Sequence, residues 1–320
     1  MGNLVEAGNS KDTKNYVSFF AKYGVVIALL FLIVLNIFIT PNFLNLNNFN
    51  NIIVQSTSTM LVALSMTIVI ATRGMDISVG SIMALSSVMF VMLIDYGIFI
   101  ALLGAMIIGL MAGIFNGVIV SYFNIEPLIL TLATMMTIRG IAQLITNGTV
   151  ITYYHEGFDK FSYYKIMDVI PIQLIIVVIA IMLFYFIANR MTFGKYVEAI
   201  GDNLKAAKLS GINISLTLIS VYALAGVMSG FSGLLETGRL SATDANNIGK
   251  LIELDAIAAT AIGGTVLTGG KPYIMGTVAG VFIMQIITTM VNMNGIPYAY
   301  SMIVKTLIII FAVYIQKLNR

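Results

Sequence analysis

Ile98-Phe-Ile-Ala-Leu-Leu-Gly-Ala-Met-Ile-Ile-Gly-Leu-Met-Ala-Gly-Ile-Phe-Asn-Gly-Val-Ile-Val-Ser-Tyr122 contains no charged side chain. At 1.5 Å per helical residue it is long enough to cross the roughly 30 Å hydrocarbon core of a bilayer. Gly109, Gly113 and Gly117 recur at every fourth position, which places them on one helix face and lets a second backbone approach closely. The whole chain reads the same way. Of its 320 residues 59% are hydrophobic and 10% charged, against about 25% charged in ordinary soluble domains. The expected fold class is all-α, a polytopic transmembrane helical bundle.

Apolar segments recur near 23–39, 57–72, 79–94, 98–122, 128–146, 172–188, 216–235, 251–268, 274–292 and 298–315. The second, third and eighth fall short of the roughly 20 residues of a full crossing, so they read as tilted, broken or re-entrant helices, and the expected number of spans is eight to ten. Residues 1–22 read as a polar cytoplasmic tail and 23–320 as one transmembrane domain, with a cytoplasmic loop at 189–214. The first apolar run is too long for a signal peptide's core, and Thr40-Pro-Asn-Phe43 is no small-x-small cleavage site. Met1-Gly2 fails as a myristoylation signal because position 6 is Glu6.

With 17 Lys plus Arg against 14 Asp plus Glu the net charge is +3, too weak a field for nucleic acid, so the charges matter by position. An inside N-terminus puts Lys11, Lys14, Lys22, Arg73, Arg190, Lys195, Lys205, Lys208, Lys271, Lys317 and Arg320 on the inner side. It leaves Lys160, Lys165, Arg239 and Lys250 outside, with both termini cytoplasmic. Arg139 and Lys305 fall within spans; they are expected to face the interior and to pair with buried carboxylates or helix C-termini, or to snorkel. Two sets of five spans would make two inverted halves. Echoes such as Asn124-Ile-Glu-Pro127 and Asn294-Gly-Ile-Pro297, and Asp76 and Asp255 each opening a Gly-rich short segment, point weakly the same way.

Catalytic equipment is sparse. The chain has no Cys and a single His, His155, which excludes disulfides and thiolate chemistry and leaves no His-based metal site or relay. No catalytic residue, metal site or bound cofactor is expected.

Three polar interruptions carry the remaining information. In residues 73–81, Arg73-Gly-Met-Asp-Ile-Ser-Val-Gly-Ser81, Gly74 permits a chain reversal. Asp76 or Ser78 would cap the next helix, and Ser81 adds a hydroxyl to its first turn; with Gly80 these are candidates for a broken-helix pathway as well as for plain capping. In 201–212, Lys205, Ala206, Ala207, Ser210 and Gly211 describe a short small-faced helix closed by a turning glycine. It reads either as an interfacial helix or as one that docks into a cytoplasmic partner. In 253–272, Glu253-Leu-Asp-Ala runs through Asp255 to the pairs Gly263/Gly264 and Gly269/Gly270, a tight turn on the inner side. It is no phosphate loop: Thr265 stands where the first glycine belongs, and Pro272 follows Lys271.

In this order and spacing the three segments resemble the permease subunit of bacterial ATP-binding-cassette importers for monosaccharides, the ribose/xylose/galactose/galactofuranose permease family. The likeness spans about residues 42–315. Gly74 to Ser81 is similar to the family's Gly-Ile-Asp-Leu-Ser-Val-Gly-Ser, with Arg73 where the family has Gly. Ala206 to Ile212 matches Ala-Ala-x-x-Ser-Gly-Ile, Glu253 to Gly270 matches the Glu-Leu-Asp-Ala-Ile-Ala-Ala segment and its glycine pairs, and Ile303-Val304-Lys305 is also similar.

The resemblance implies a non-enzymatic subunit in the bacterial inner membrane that forms the pathway for a simple sugar, a pentose or hexose. It implies a cytoplasmic ATPase that meets the loop around Lys205, Ala206, Ala207, Ser210 and Gly211. It also implies an extracytoplasmic sugar-binding protein and a second permease subunit, identical or not, in the lipid bilayer. The alternatives are a branched-chain amino acid permease and an ion-coupled secondary transporter; an intramembrane hydrolase lacks its residues. The outer aromatic group Tyr153, Tyr154, Phe158, Phe161, Tyr163 and Tyr164 reads equally as a docking surface and as an interfacial belt.

Overall fold

The computed structural model describes residues 24–318, so the tail lysines Lys11, Lys14 and Lys22 lie outside the described residues, as does Arg320. The chain begins with α1 (Gly24–Ile39), α2 (Leu46–Ala71) and α3 (Val79–Leu93), the last prolonged by a 3-10 turn to Tyr96. α4 (Ile98–Phe123) and α5 (Pro127–Thr146) follow, then the short α6 (Glu156–Ser162), α7 (Ile172–Asn189), α8 (Thr192–Asp202) and α9 (Leu204–Leu209). α10 (Ile214–Leu240), α11 (Ile252–Ile262), α12 (Ile274–Met293) and α13 (Tyr298–Leu318) complete it. Among the described residues, seven helices (α2, α3 with its 3-10 turn, α4, α5, α7, α10 and α12) are long and apolar enough to cross a membrane.

Two-residue ribbons tie loops together. β1 (Ile151–Thr152) pairs antiparallel with β4 (Ala242–Thr243), and β2 (Lys165–Ile166) with β3 (Ile170–Pro171). They sit with α6 at one end of the bundle; α8 and α9 mark the other, a helix length away along α7.

α2 runs through the centre. From Met60 to Ala71 every side chain is buried. The sequence expectation of a short second span fails here, because the helix starts eleven residues before the expected 57. Asn45 accepts a hydrogen bond from Asn47 N–H (2.9 Å), and the amides that follow do not have to enter hydrocarbon. Asn50 donates to Val169 O (2.8 Å) and Asn48 to Phe43 O (2.8 Å), so they are satisfied inside the protein.

The eighth segment is short, as expected. α11 covers only Ile252–Ile262, about 16 Å of rise, too little to cross. α3 packs against α4 and α10, whereas α11 packs against α12 and α2. α3, expected to be short, reaches 18 residues with its 3-10 turn; it leans on the long helix that precedes α11, and α11 leans on the one that precedes α3.

The glycine face of α4 meets α10. A Cβ on Gly109 or Gly113 would overlap the carbonyls of Gly226 and Tyr222, and one on Gly226 would overlap Gly109 O. Hydroxyls join the central helices: Thr67 of α2 bonds Thr277 of α12 (2.7 Å) and approaches Thr260 of α11 (3.4 Å).

Candidate functional site

The three polar interruptions are far apart in sequence and meet in space. α2 ends in a Schellman turn: Gly74 N–H donates to Val69 O (3.1 Å) and Arg73 N–H to Ile70 O (2.9 Å). Arg73 therefore occupies the left-handed position, with φ +67°, that glycine fills without strain. Its guanidinium reaches across to α8. Nε donates to Gly201 O (2.6 Å) and Nη2 to Asp202 O (2.8 Å), satisfying carbonyls that the end of α8 leaves free.

The α11–α12 turn closes the same junction. Gly270 N–H donates to Ala71 O (2.9 Å). Gly269 and Gly270 have φ +92° and +113°, and a Cβ on Gly201 would overlap Ala71 O and Gly270 N, so main chain packs on main chain here. Gly264 also has a positive φ (+91°), while Gly263 lies against the backbone of Gly276 at the start of α12. A cavity of about 650 Å³ opens beside this junction, lined by Arg73, Met75, Glu126, Asp202 and Thr268 among others.

α9 stands out from this base. Asn203 caps it, accepting from Lys205 and Ala206 N–H (both 3.1 Å), while Ala207 is buried against the body of the protein. Gly211, φ +78°, closes it, with its N–H on Lys208 O (3.1 Å). Lys205, Ala206, Leu209 and Ser210 are exposed, and Leu209 is 90% so.

Inside the bundle the first and third interruptions meet again. Gly80 and Gly249 approach backbone to backbone, and the Glu253 carboxylate lies against Gly80. The first turns of α3 and α11 therefore converge on one buried carboxylate, which suits the positive ends of two helix dipoles.

Capping differs from expectation. Neither Asp76 nor Ser78 caps the first turn of α3. Asp76, fully buried, accepts from Ser78 N–H (2.9 Å) and Ser78 Oγ (2.5 Å) instead. Asn116 of α4 donates to Ser78 Oγ (2.9 Å), and Thr134 of α5 donates to Asn116 Oδ1 (2.8 Å). The reason is competition: a side chain on α4 occupies the serine hydroxyl, so it binds laterally rather than along the helix. Asp76 Oδ2 has no partner among the described residues. Ser81 Oγ donates to Ser78 O (2.8 Å).

The intramembrane cations are partnered. Lys305 Nζ of α13 donates to both carboxylate oxygens of Asp255 (3.1 and 2.9 Å). Arg139 Nη1 donates to Ala245 O (2.8 Å) and Ile248 O (2.7 Å), in the segment entering α11.

The aromatic group divides. Tyr153 and Phe158 pack with Phe90 of α3, ring centroids 4.6–6.2 Å apart, whereas Tyr154, Phe161, Tyr163 and Tyr164 are exposed. Burial pushes the Tyr153 phenol well up, reinforced by Asp159. Sequence reasoning missed Asn116, Thr134 and the amide row on α2; amides recurring at Asn47, Asn51 and Gln55, four apart, were the available signal.

Comparison with known proteins adds a family. Residues 48–313 match the family model described as the branched-chain amino acid transport system / permease component. The chain is 36% identical over 296 residues to the ribose import permease protein of Escherichia coli K12, covering 91% of this chain and 92% of that protein. It is 34% identical over 328 residues to the galactose/methyl galactoside import permease protein of Salmonella typhimurium, covering 96% and 97%. It is also 34% identical over 258 residues to the galactofuranose transporter permease protein of Escherichia coli K12, covering 80% and 75%. No solved structure matches the chain.

Proposed function

The chain belongs to this family of import permease components, and from that premise we propose that it forms the membrane pathway of an ATP-driven importer for a simple sugar, a pentose or hexose. The relatives named above carry sugars in their names, which favours a monosaccharide over a branched-chain amino acid. A cytoplasmic ATPase supplies the energy, an extracytoplasmic binding protein delivers the solute, and a second permease subunit completes the pathway in the bacterial inner membrane. The α8–α9 end faces the cytoplasm in this reading, because Arg73, Arg190, Lys195, Lys205, Lys208 and Lys271 gather there.

One observation carries the proposal. α9 is exposed at its tip yet rooted in a junction where Arg73 bonds the α2–α3 turn to α8, Gly270 N–H bonds the α11–α12 turn to Ala71 of α2, and Gly201 of α8 packs on both. A force applied to Lys205, Ala206 and Ser210 is thereby delivered to both turns. Ala207 packs α9 against this base and Gly211 sets its exit. Coupling then works by differential binding: an ATPase that prefers one arrangement of the junction shifts the population of the pathway's states. The conformational change reaches the interior along Asp76, Ser78 and Ser81, and at Gly80, where α3 meets α11 beside Glu253, two residues ahead of Asp255. The glycines Gly263, Gly264, Gly269 and Gly270 are the hinge and contact points of the second turn.

The test uses the absence of native Cys. Ser210→Cys introduces a single thiol on the exposed end of α9. In oriented vesicles it should react with an impermeant thiol reagent from the cytoplasmic side, and added ATPase should block it. Reaction from the other side, or no protection by the ATPase, removes both the orientation and the coupling role.

A further inference from the structure

On α2, Asn47, Asn51 and Gln55 form one stripe, and all three are exposed although the helix is buried on nearly every side beyond them. Amides facing hydrocarbon have no water to bond, so a stripe of them inside a spanning helix faces water or other polar groups. The structure shows which. A cavity of about 370 Å³, within the roughly 300–1,000 Å³ usual for small-molecule sites, is lined by these three amides. Tyr163, Tyr164, Lys165 and Arg239 also line it. Gln55 and Arg239 also line a second cavity of about 180 Å³ that includes Ser58, Thr59, Glu236 and Asp255. Together they lead from the α6 end to the level of Met83 and Ile252, where α3 and α11 begin.

The lining is chemically specific. Amide groups donate and accept at once, as vicinal hydroxyls do, and tyrosine rings cover C–H faces. Arg239 is matched with Glu236, and Asp255 with Lys305 behind it, while Lys165 lines the outer cavity and Lys250 the inner one, so ammonium donors stand beside the amides along the track. Among the residues lining the inner cavity only Met83 and Ile252 are aliphatic, which gives a branched hydrocarbon side chain little to pack against. Asn47 and Asn51 have no side-chain hydrogen bond among the described residues and are free to take one from a solute.

We infer that this stripe and its two cavities form an outer binding track for a neutral polyhydroxylated solute, running from the α6 end to the meeting point of α3 and α11. The inference rests on the importer reading above and adds where within one subunit the sugar is first held by the membrane component.

Asn51→Cys and Gln55→Cys each introduce one thiol into the full chain, and Leu103→Cys and Ile107→Cys, on the exposed apolar face of α4, serve as lipid-facing controls. In right-side-out vesicles, an impermeant maleimide should modify the two track positions at least about tenfold faster than the controls, since only a hydrated cavity admits it. D-ribose or D-galactose should slow that modification, and L-leucine should not. Track positions as slow as the controls overturn the inference; if the unmodified complex still imports either sugar with ATP, the importer reading survives. Protection by L-leucine alone overturns the solute class in both. Fast modification with no protection by any of the three removes the binding role.

Discussion

The two ends of the bundle are held together by different chemistry. At the α8–α9 end main chain meets main chain: Gly201 lies on Ala71 and Gly270, and Arg73 binds carbonyls of α8. At the α6 end side chains supply the contacts around open space: Gln55 accepts from Gln285 (3.0 Å), Tyr163 donates to the main-chain carbonyl of Arg239 (2.8 Å), and the Arg239 side chain pairs with Glu236. Backbone contact transmits displacement with little loss, because no rotamer can absorb it. Side-chain contact across a polar cavity can be exchanged for contact with a solute. On the reading proposed above, one end is pushed and the other occupied.

The contrast breaks first at the ion pair between α11 and α13. Lys305→Ala leaves Asp255 without its cation and should cost about 3 kcal/mol, the low end for a buried pair because Asp255 is partly exposed. Lys305→Met with Asp255→Leu should recover most of it, as thermal unfolding in detergent would show. If the double change is no better than the single one, the pair is not an independent unit.

At the opposite end no second change should help. Gly201→Val drives a side chain into Ala71 O and Gly270 N and should cost about 1–3 kcal/mol, with loss of ATP-driven uptake. Tolerance of valine there would mean the junction is not close-packed.

Arg73→Gly sharpens the comparison further. It relieves a left-handed backbone worth about 1 kcal/mol and removes two hydrogen bonds of similar total value, so stability should change by less than about 1 kcal/mol. Solute moved per ATP hydrolysed should fall all the same, because α8 is no longer tied to α2. Unchanged coupling would show that the α11–α12 turn alone carries the motion. The smallest effect belongs to Tyr163→Phe, whose lost exposed hydrogen bond should cost no more than about 0.5 kcal/mol in the same unfolding assay.

Much of the bundle was legible because lipid imposes a local rule: apolar runs mark helices wherever no water is available. That rule located α4, α7, α10 and α12, the short α11, the glycine face of α4 and the inward pairing of Lys305. It misplaced the start of α2, since whether Asn48 and Asn50 can enter a helix depends on Phe43 O and Val169 O, one nearby and the other in a remote loop. Ser78 was read as a cap for the same reason; its actual partner, Asn116, is fixed only when α4 packs beside α3. Within the candidate site, the local turns at Gly211 and Gly269 could be read from residue type, whereas the turn after α2 places its left-handed residue at Arg73 and not at Gly74. The convergence of those turns on α8 is a property of tertiary packing.

The glycine contact between α4 and α10 sets a boundary on how such a protein can operate. Gly109, Gly113 and Gly226 bring the two backbones together with no side chain between them to swivel or slide. The pair acts as a stator. On the importer reading, opening and closing then fall to the helices around it, and a solute's passage is timed by how α2, α11 and α13 move against this close-packed pair.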